Sequence, residues 1–184
     1  GAHLPFAHGS ALYEALTLVG VSAQTIAKAT QAFGAEAATV ENELIAVSRD
    51  PDALLRQERE VPPVDRLYAT LDATKVHTDE RRDADDEGWR DLKIGAWFET
   101  MTTAPSTPDG DWDVQAQNIA YFCDIAPAAR FGELLWATGV QRHAPRAKEL
   151  IVVADGADWI WNLVDLHFPK AVQIVDWFHA AEHL

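Results

Sequence analysis

The 184-residue chain has one cysteine, Cys123, and one methionine, Met101. A single thiol excludes an internal disulfide and fits a reducing compartment, which points to the cytoplasm. Cys123 falls in a strand-like run and reads as an inert core thiol. Position 1 is Gly1 rather than methionine, so the chain reads as processed, trimmed or a fragment, with both ends as cuts. No apolar run nears the ~20 residues that span a bilayer, and no basic-then-apolar leader opens the chain, so no membrane association is expected. Basic residues are scarce as well: 15 Lys and Arg stand against 29 Asp and Glu, a net charge of −14. Residues 1–66 contribute −4 of this and residues 67–184 contribute −10. Phosphate backbones call for clustered Lys and Arg, so the balance counts against a nucleic-acid partner. It does not exclude one, because metal-binding carboxylates inflate an acidic count.

The chain is 48% hydrophobic, enough for one ordinary domain with a small attachment. Residues 1–63 read as a helical segment and linker, and residues 64–184 as the main domain. From Ala11, Leu12, Leu16 and Val19 share a helix face. Gly20-Val21-Ser22 breaks the pattern, and Ser22 suits the N-cap of a second helix over Ala23 to Phe33. Gly34 reads as a stop or kink. Two helices around a glycine-containing turn fit either a helix-turn-helix or a plain helical hairpin. The second helix offers Gln24, Thr25, Lys28 and Gln31 to DNA but no arginine, which favours the hairpin. Phe33, Ala37, Val40, Leu44 and Val47 form a further seam, suited to packing on the same domain or pairing with another copy. The charged stretch from Asp50 to Pro63, with Pro51, Pro62 and Pro63, reads as a linker, with the main boundary near Pro63.

Beyond it the period changes. Arg66 to Asp72, Trp89 to Glu99 and Asn118 to Ile125 read as strands, and Pro127 to Thr138 as a helix. Asp79 to Gly88 and Thr102 to Asp113 read as loops. Glu149 to Ala154 holds a short apolar run, rich in β-branched residues, that ends on the turn signal Asp155-Gly156, and an amphipathic helix follows, ending near Pro169. Ala171 to Val175 is a fifth strand, leading into Asp176. Three strands followed by βαβ-type crossovers predict an α/β domain with a mixed sheet flanked by helices. This is the element order of the RNase H-like fold, here preceded by an N-terminal helical segment. In open sheets of this kind, ligands sit beyond the carboxyl ends of strands, so Asp155 is placed for chemistry, and Asp72 occupies a matching place on the first strand.

Four strings come in order: Thr74-Lys75-Val76-His77-Thr78, Gly88-Trp89-Arg90-Asp91-Leu92-Lys93-Ile94-Gly95, Asp155-Gly156-Ala157-Asp158-Trp159-Ile160-Trp161-Asn162 and Asp176-Trp177-Phe178-His179-Ala180. Together they resemble the central part of the ISKra family of insertion-sequence transposases, best from Leu67 to Leu184. The resemblance implies a DDE transposase that cuts and joins DNA with two divalent ions, Mg²⁺ or Mn²⁺, works as a homo-oligomer and takes transposon ends and target DNA as partners. Position by position it makes Asp72 the first catalytic and metal-binding acid and Asp155 the second. The family has glycine after the first acid, and Ala73 departs from this. The third acid is expected beyond Leu184, with Glu182 as a weak stand-in. Which residues would hold the DNA is open. Without its third acid, such a chain is a catalytic-core fragment, and whether it is active by itself is open.

Simpler roles compete with each of these. Asp72 fits a turn or cap, and Asp176 fits either a cleft carboxylate or the cap of the next helix. Asp124 is expected to cap the helix at Pro127. Asp158 favours the first turn of its own helix. Trp159 and Trp161 suit packing better than base stacking. His179-Ala180-Ala181-Glu182-His183 matches the inverted zinc-peptidase pattern, but three fixed positions match easily by chance. The competing functions are an RNase H-like nuclease without strand transfer and a non-catalytic interaction module.

Overall fold

A computed structural model describes residues 6–60, 64–78, 83, 85–107 and 109–177. The chain divides into two compact units, Gly1–Ala46 and Val47–Leu184. The division falls inside a helix, whereas composition places a boundary near Pro63, which lies outside the described residues.

The N-terminal segment is helical, as expected: α1 is Phe6–Thr17 and α2 is Ala23–Ser48. Ser22 caps α2, its Oγ accepting a hydrogen bond from the Thr25 amide at 3.1 Å. The stop expected at Gly34 does not occur. A Cβ at Gly34 would meet nothing within 4 Å, and a glycine in an exposed helix costs about 1 kcal/mol relative to alanine, which neighbouring turns absorb. The linker expected over Asp50 to Pro63 is also corrected, because α3 covers Pro51–Glu60. Asp50 accepts a hydrogen bond from the Asp52 amide at 2.9 Å, and Pro51 takes the first helical position, where its missing N–H costs nothing. The signal was a capped helix start, not a break.

The second unit is an α/β domain with a five-stranded mixed sheet. Its strands are β1 (Arg66–His77), β2 (Trp89–Thr103), β3 (Asp113–Asp124), β4 (Glu149–Ala154) and β5 (Val172–Val175), in the order β3-β2-β1-β4-β5. β2 runs antiparallel to β1 and β3, while β1, β4 and β5 are mutually parallel. That order and those directions are consistent with the RNase H-like fold. The helices are α4 (Ala128–Gln141), between β3 and β4, and α5 (Asp158–His167), between β4 and β5.

Register decides which side chains share a face. Leu67, Ala69 and Leu71 pair with Leu150, Val152 and Ala154, and all six are buried. On the same face, Ala69 pairs with Trp97 and Leu71 with Gly95, which in turn pairs with Phe122. Trp97 is fully buried, and its Nε1 donates to Thr138 Oγ1 of α4 at 2.9 Å. Phe131 of α4 stacks on Phe122 at 5.4 Å and meets Trp159 of α5 edge-on at 5.9 Å. This is therefore the face that α4 and α5 cover. Gly95 is required there, because a Cβ would stand 2.2 Å from the Phe122 ring.

Alternation turns Tyr68, Thr70, Asp72, Tyr121 and Cys123 to the other face. Cys123 is exposed, which corrects its assignment to the core: Phe122 took the inward position and left its neighbour outside. Asp124 does not cap α4, since Pro127 is the N-cap residue and no side chain caps it. Asp124 lies instead 3.9 Å from Arg130 Nε.

Candidate active site

The ladder between β1 and β4 ends on the pair Leu71 with Ala154. The ladder between β4 and β5 ends on Ala154 with Val175. The next residue on each of the three strands is an aspartate: Asp72, Asp155 and Asp176. β1 continues past Asp72 against β2, pairing Asp72 with Ile94 and Ala73 with Lys93, so Asp72 sits where β4 stops rather than where β1 does. Parallel strands lie about 4.8 Å apart, so side chains one step beyond a shared pair are neighbours.

Local chemistry orients each acid. Asp155 Oδ1 accepts a hydrogen bond from the Ala157 amide at 2.9 Å, an Asx turn that reverses the chain into α5. Gly156 supplies the positive φ, +93°, that this turn needs. Asp72 Oδ1 accepts from the Ala73 amide at 2.7 Å. Oδ2 of both acids has no hydrogen-bond or ion-pair partner among the described residues. The Asp176 amide donates to the Ala154 carbonyl at 2.8 Å, which ties β5 to the same end of β4. Asp72 is exposed, and Asp155 and Asp176 are half-buried. Ala73, where the resembled family has glycine, needs no left-handed backbone: it is not among the residues with positive φ, and the strand runs straight through it.

An oxygen-only donor pair suits a hard divalent cation such as Mg²⁺, and Asp72 and Asp155 fit as two of its ligands. Among the described residues, no group of three or more His, Cys, Asp or Glu side chains converges to hold an ion, so Asp176 does not complete a three-ligand set. Glu182, His179 and His183 lie outside the described residues. Asp158 stands in the first turn of α5, where an acid favours the helix end. Trp159 packs on Phe131, in keeping with a packing role.

Reasoning from sequence missed two cations at this end of the sheet. Arg90 and Lys93 of β2 are both nearly buried, at 8% and 9% exposure. The signal was available: counting inward by twos from Trp97 passes Gly95 and lands on Lys93, a charge at a core-facing position. A larger hollow of about 410 Å³ lies at the opposite end of β4 and β5, lined by residues including Trp136, His167, Phe168 and Lys170. No part of the aspartate row borders it. No family model matches the chain, and no curated protein matches it. No helix among the described residues is long and apolar enough to cross a membrane.

Proposed function

We propose that residues 64–184 form the catalytic core of a DDE-type transposase, which cleaves DNA and transfers the cut strand during movement of an insertion sequence. The observation that carries this reading is the pair Asp72 and Asp155, neighbours at the end of one ladder, each with an oxygen that no cation or donor of the described chain engages. The ordered strings that resemble the ISKra family select transposition among the activities of such a site. A divalent ion bound by these carboxylates supplies Lewis acidity toward a phosphodiester. Asp155 is held in place by its turn and Asp72 by the β1–β2 ladder, so both ligands are positioned before substrate arrives. DNA ends and target are the proposed partners, and a homo-oligomer the proposed working form.

Two measurements test this. Mn²⁺ titrated into the protein by calorimetry should bind saturably, and Asp72→Asn and Asp155→Asn should each abolish that binding. In a cleavage and joining assay with Mg²⁺ on the protein extended through its third acid, each variant should lose about 100-fold or more, since even an outer-shell partner of a metal ligand is worth 10–100-fold. Cleavage without joining would assign a nuclease of the same architecture. A non-catalytic interaction module is the second reading, favoured by the lack of a third converging ligand among the described residues. Absence of any metal binding would establish it against the first.

A further inference from the structure

At the same end of the sheet as the aspartate row, a hollow of about 220 Å³ is lined by Arg90, Asp91, Lys93, Ile125, Ala126 and Pro127. Because β2 runs antiparallel to β1, its first residues lie beside Ala73 to His77, with Lys93 opposite Ala73. The Lys93 ammonium has three hydrogens to donate. One goes to the Ala126 carbonyl at 2.8 Å, and the ammonium also lies 5.7 Å from the centre of the Trp159 ring. No carboxylate of the described residues comes within 4.0 Å of it.

The surrounding charges are already matched. Arg90 binds both oxygens of Asp86, at 2.9 and 2.6 Å. Asp91 binds Lys75 at 2.6 Å, and that hydrogen bond holds its carboxyl below the usual range, with Lys93 adding at longer reach. Asp124 leans toward Arg130. Among the described residues no carboxylate forms an ion pair with the nearly buried Lys93 ammonium, and Asp91 reaches it only at longer range, an arrangement that is costly unless an anion completes it. The uncapped start of α4 at Pro127 borders the hollow and favours the same sign of ligand.

We propose that this hollow seats one backbone phosphate of a bound nucleic-acid strand, with the Lys93 ammonium as its charged donor; the assignment of a nucleic-acid strand rests on the reading given above. A lysine on a short tether is a point-charge binder of phosphate. Lys93 lies on the helix-covered face, level with Ala73, while Asp72 turns to the other face, so the hollow is a contact separate from the carboxylates: one placed cation on an acidic chain.

The test is an NMR titration of the full chain in EDTA, with inorganic phosphate in one arm and an oligothymidylate in the other. Both should shift the amides of Lys93, Ala126 and Ala128 saturably, and phosphate should compete with the oligonucleotide. Lys93→Met should weaken the oligonucleotide about 10-fold or more, the worth of one hydrogen bond from a charged group. Unchanged affinity in a folded Lys93→Met variant, or shifts that map elsewhere, would overturn the proposal and leave Lys93 as a tie between β2 and the Ala126 carbonyl. Binding of inorganic phosphate without the oligonucleotide would overturn the nucleic-acid source. Should the variant not fold, the wild-type map and competition decide. No metal is present, so failure of metal binding at Asp72 and Asp155 leaves this result standing, and the reverse also holds.

Discussion

One face of the sheet is shut under α4 and α5; the other carries side chains of the same apolar kind in the open. Leu67, Ala69, Leu71 and Trp97 on the first are each 2% exposed or less, while Tyr121 and Ile174 on the second are 75% and 44% exposed. The strands are the same, and only alternation separates the two sets. The difference teaches where stability and function divide. Apolar residues on the covered face cannot change without disturbing the helices. The open face and the strand ends carry Asp72, and the loops beyond them carry Asp155 and Asp176, where a substitution should change the proposed chemistry before it changes the fold.

The strongest way to break that contrast is Trp97→Ala. The indole touches Phe122 and Phe168, with centroids at 6.4 and 5.5 Å, and bonds Thr138. Thr138 Oγ1 also donates to the Leu134 carbonyl at 2.8 Å, so it keeps a partner when the indole goes. The expected cost is about 3–5 kcal/mol, read from the urea midpoint. A loss under about 1 kcal/mol would mean that the covered face is not the seat of stability.

A smaller effect comes from His167, at the end of α5. It stacks near Trp136, with centroids 6.3 Å apart, and burial pushes its imidazole below the ordinary range, a trend that Glu133 opposes. A depressed value in the folded state means that the unfolded chain binds the proton more readily. This contribution is therefore present above the ordinary pKa of about 6.5 and is lost as pH falls through the lower folded value. Urea midpoints measured from pH 7.5 down to 5 should decline, and His167→Gln should flatten the decline. An unchanged slope in the variant would place the pH dependence in other groups.

Sequence disclosed the sheet more readily than the helices. The apolar run Leu150 to Val153, rich in β-branched residues and closed by Asp155-Gly156, reads as a buried strand ending in a turn, and Gly156 adopts the φ that the turn demands. Asp72 and Asp155 were legible as strand-associated acids, because their position depends on period alone. Their adjacency depends on the β1–β4 register, which no local pattern contains. α2 was misread at Gly34, where an exposed glycine is tolerated because nothing packs there. α3 departs from the linker expectation because Pro51, a breaker within a helix, is a starter behind the capping Asp50. Lys93 is legible only through its strand neighbours, because it shares a face with Gly95 and Trp97 and nothing in its own residue type marks it as buried.

The finest test of the contrast is Tyr121→Thr on the open face. Tyr121 lies on β3 opposite Ala96 of β2, and threonine keeps the β-branched preference for a strand. What is removed is a ring that already stands mostly in water and one cross-strand contact, worth about 0.2–1 kcal/mol. The urea midpoint should therefore move by no more than about 0.5 kcal/mol, the range for surface substitutions. A cost above about 1 kcal/mol would contradict the exposure of Tyr121 and show that this face is covered in solution. The two faces would then differ in what covers them, and no longer in whether they are covered.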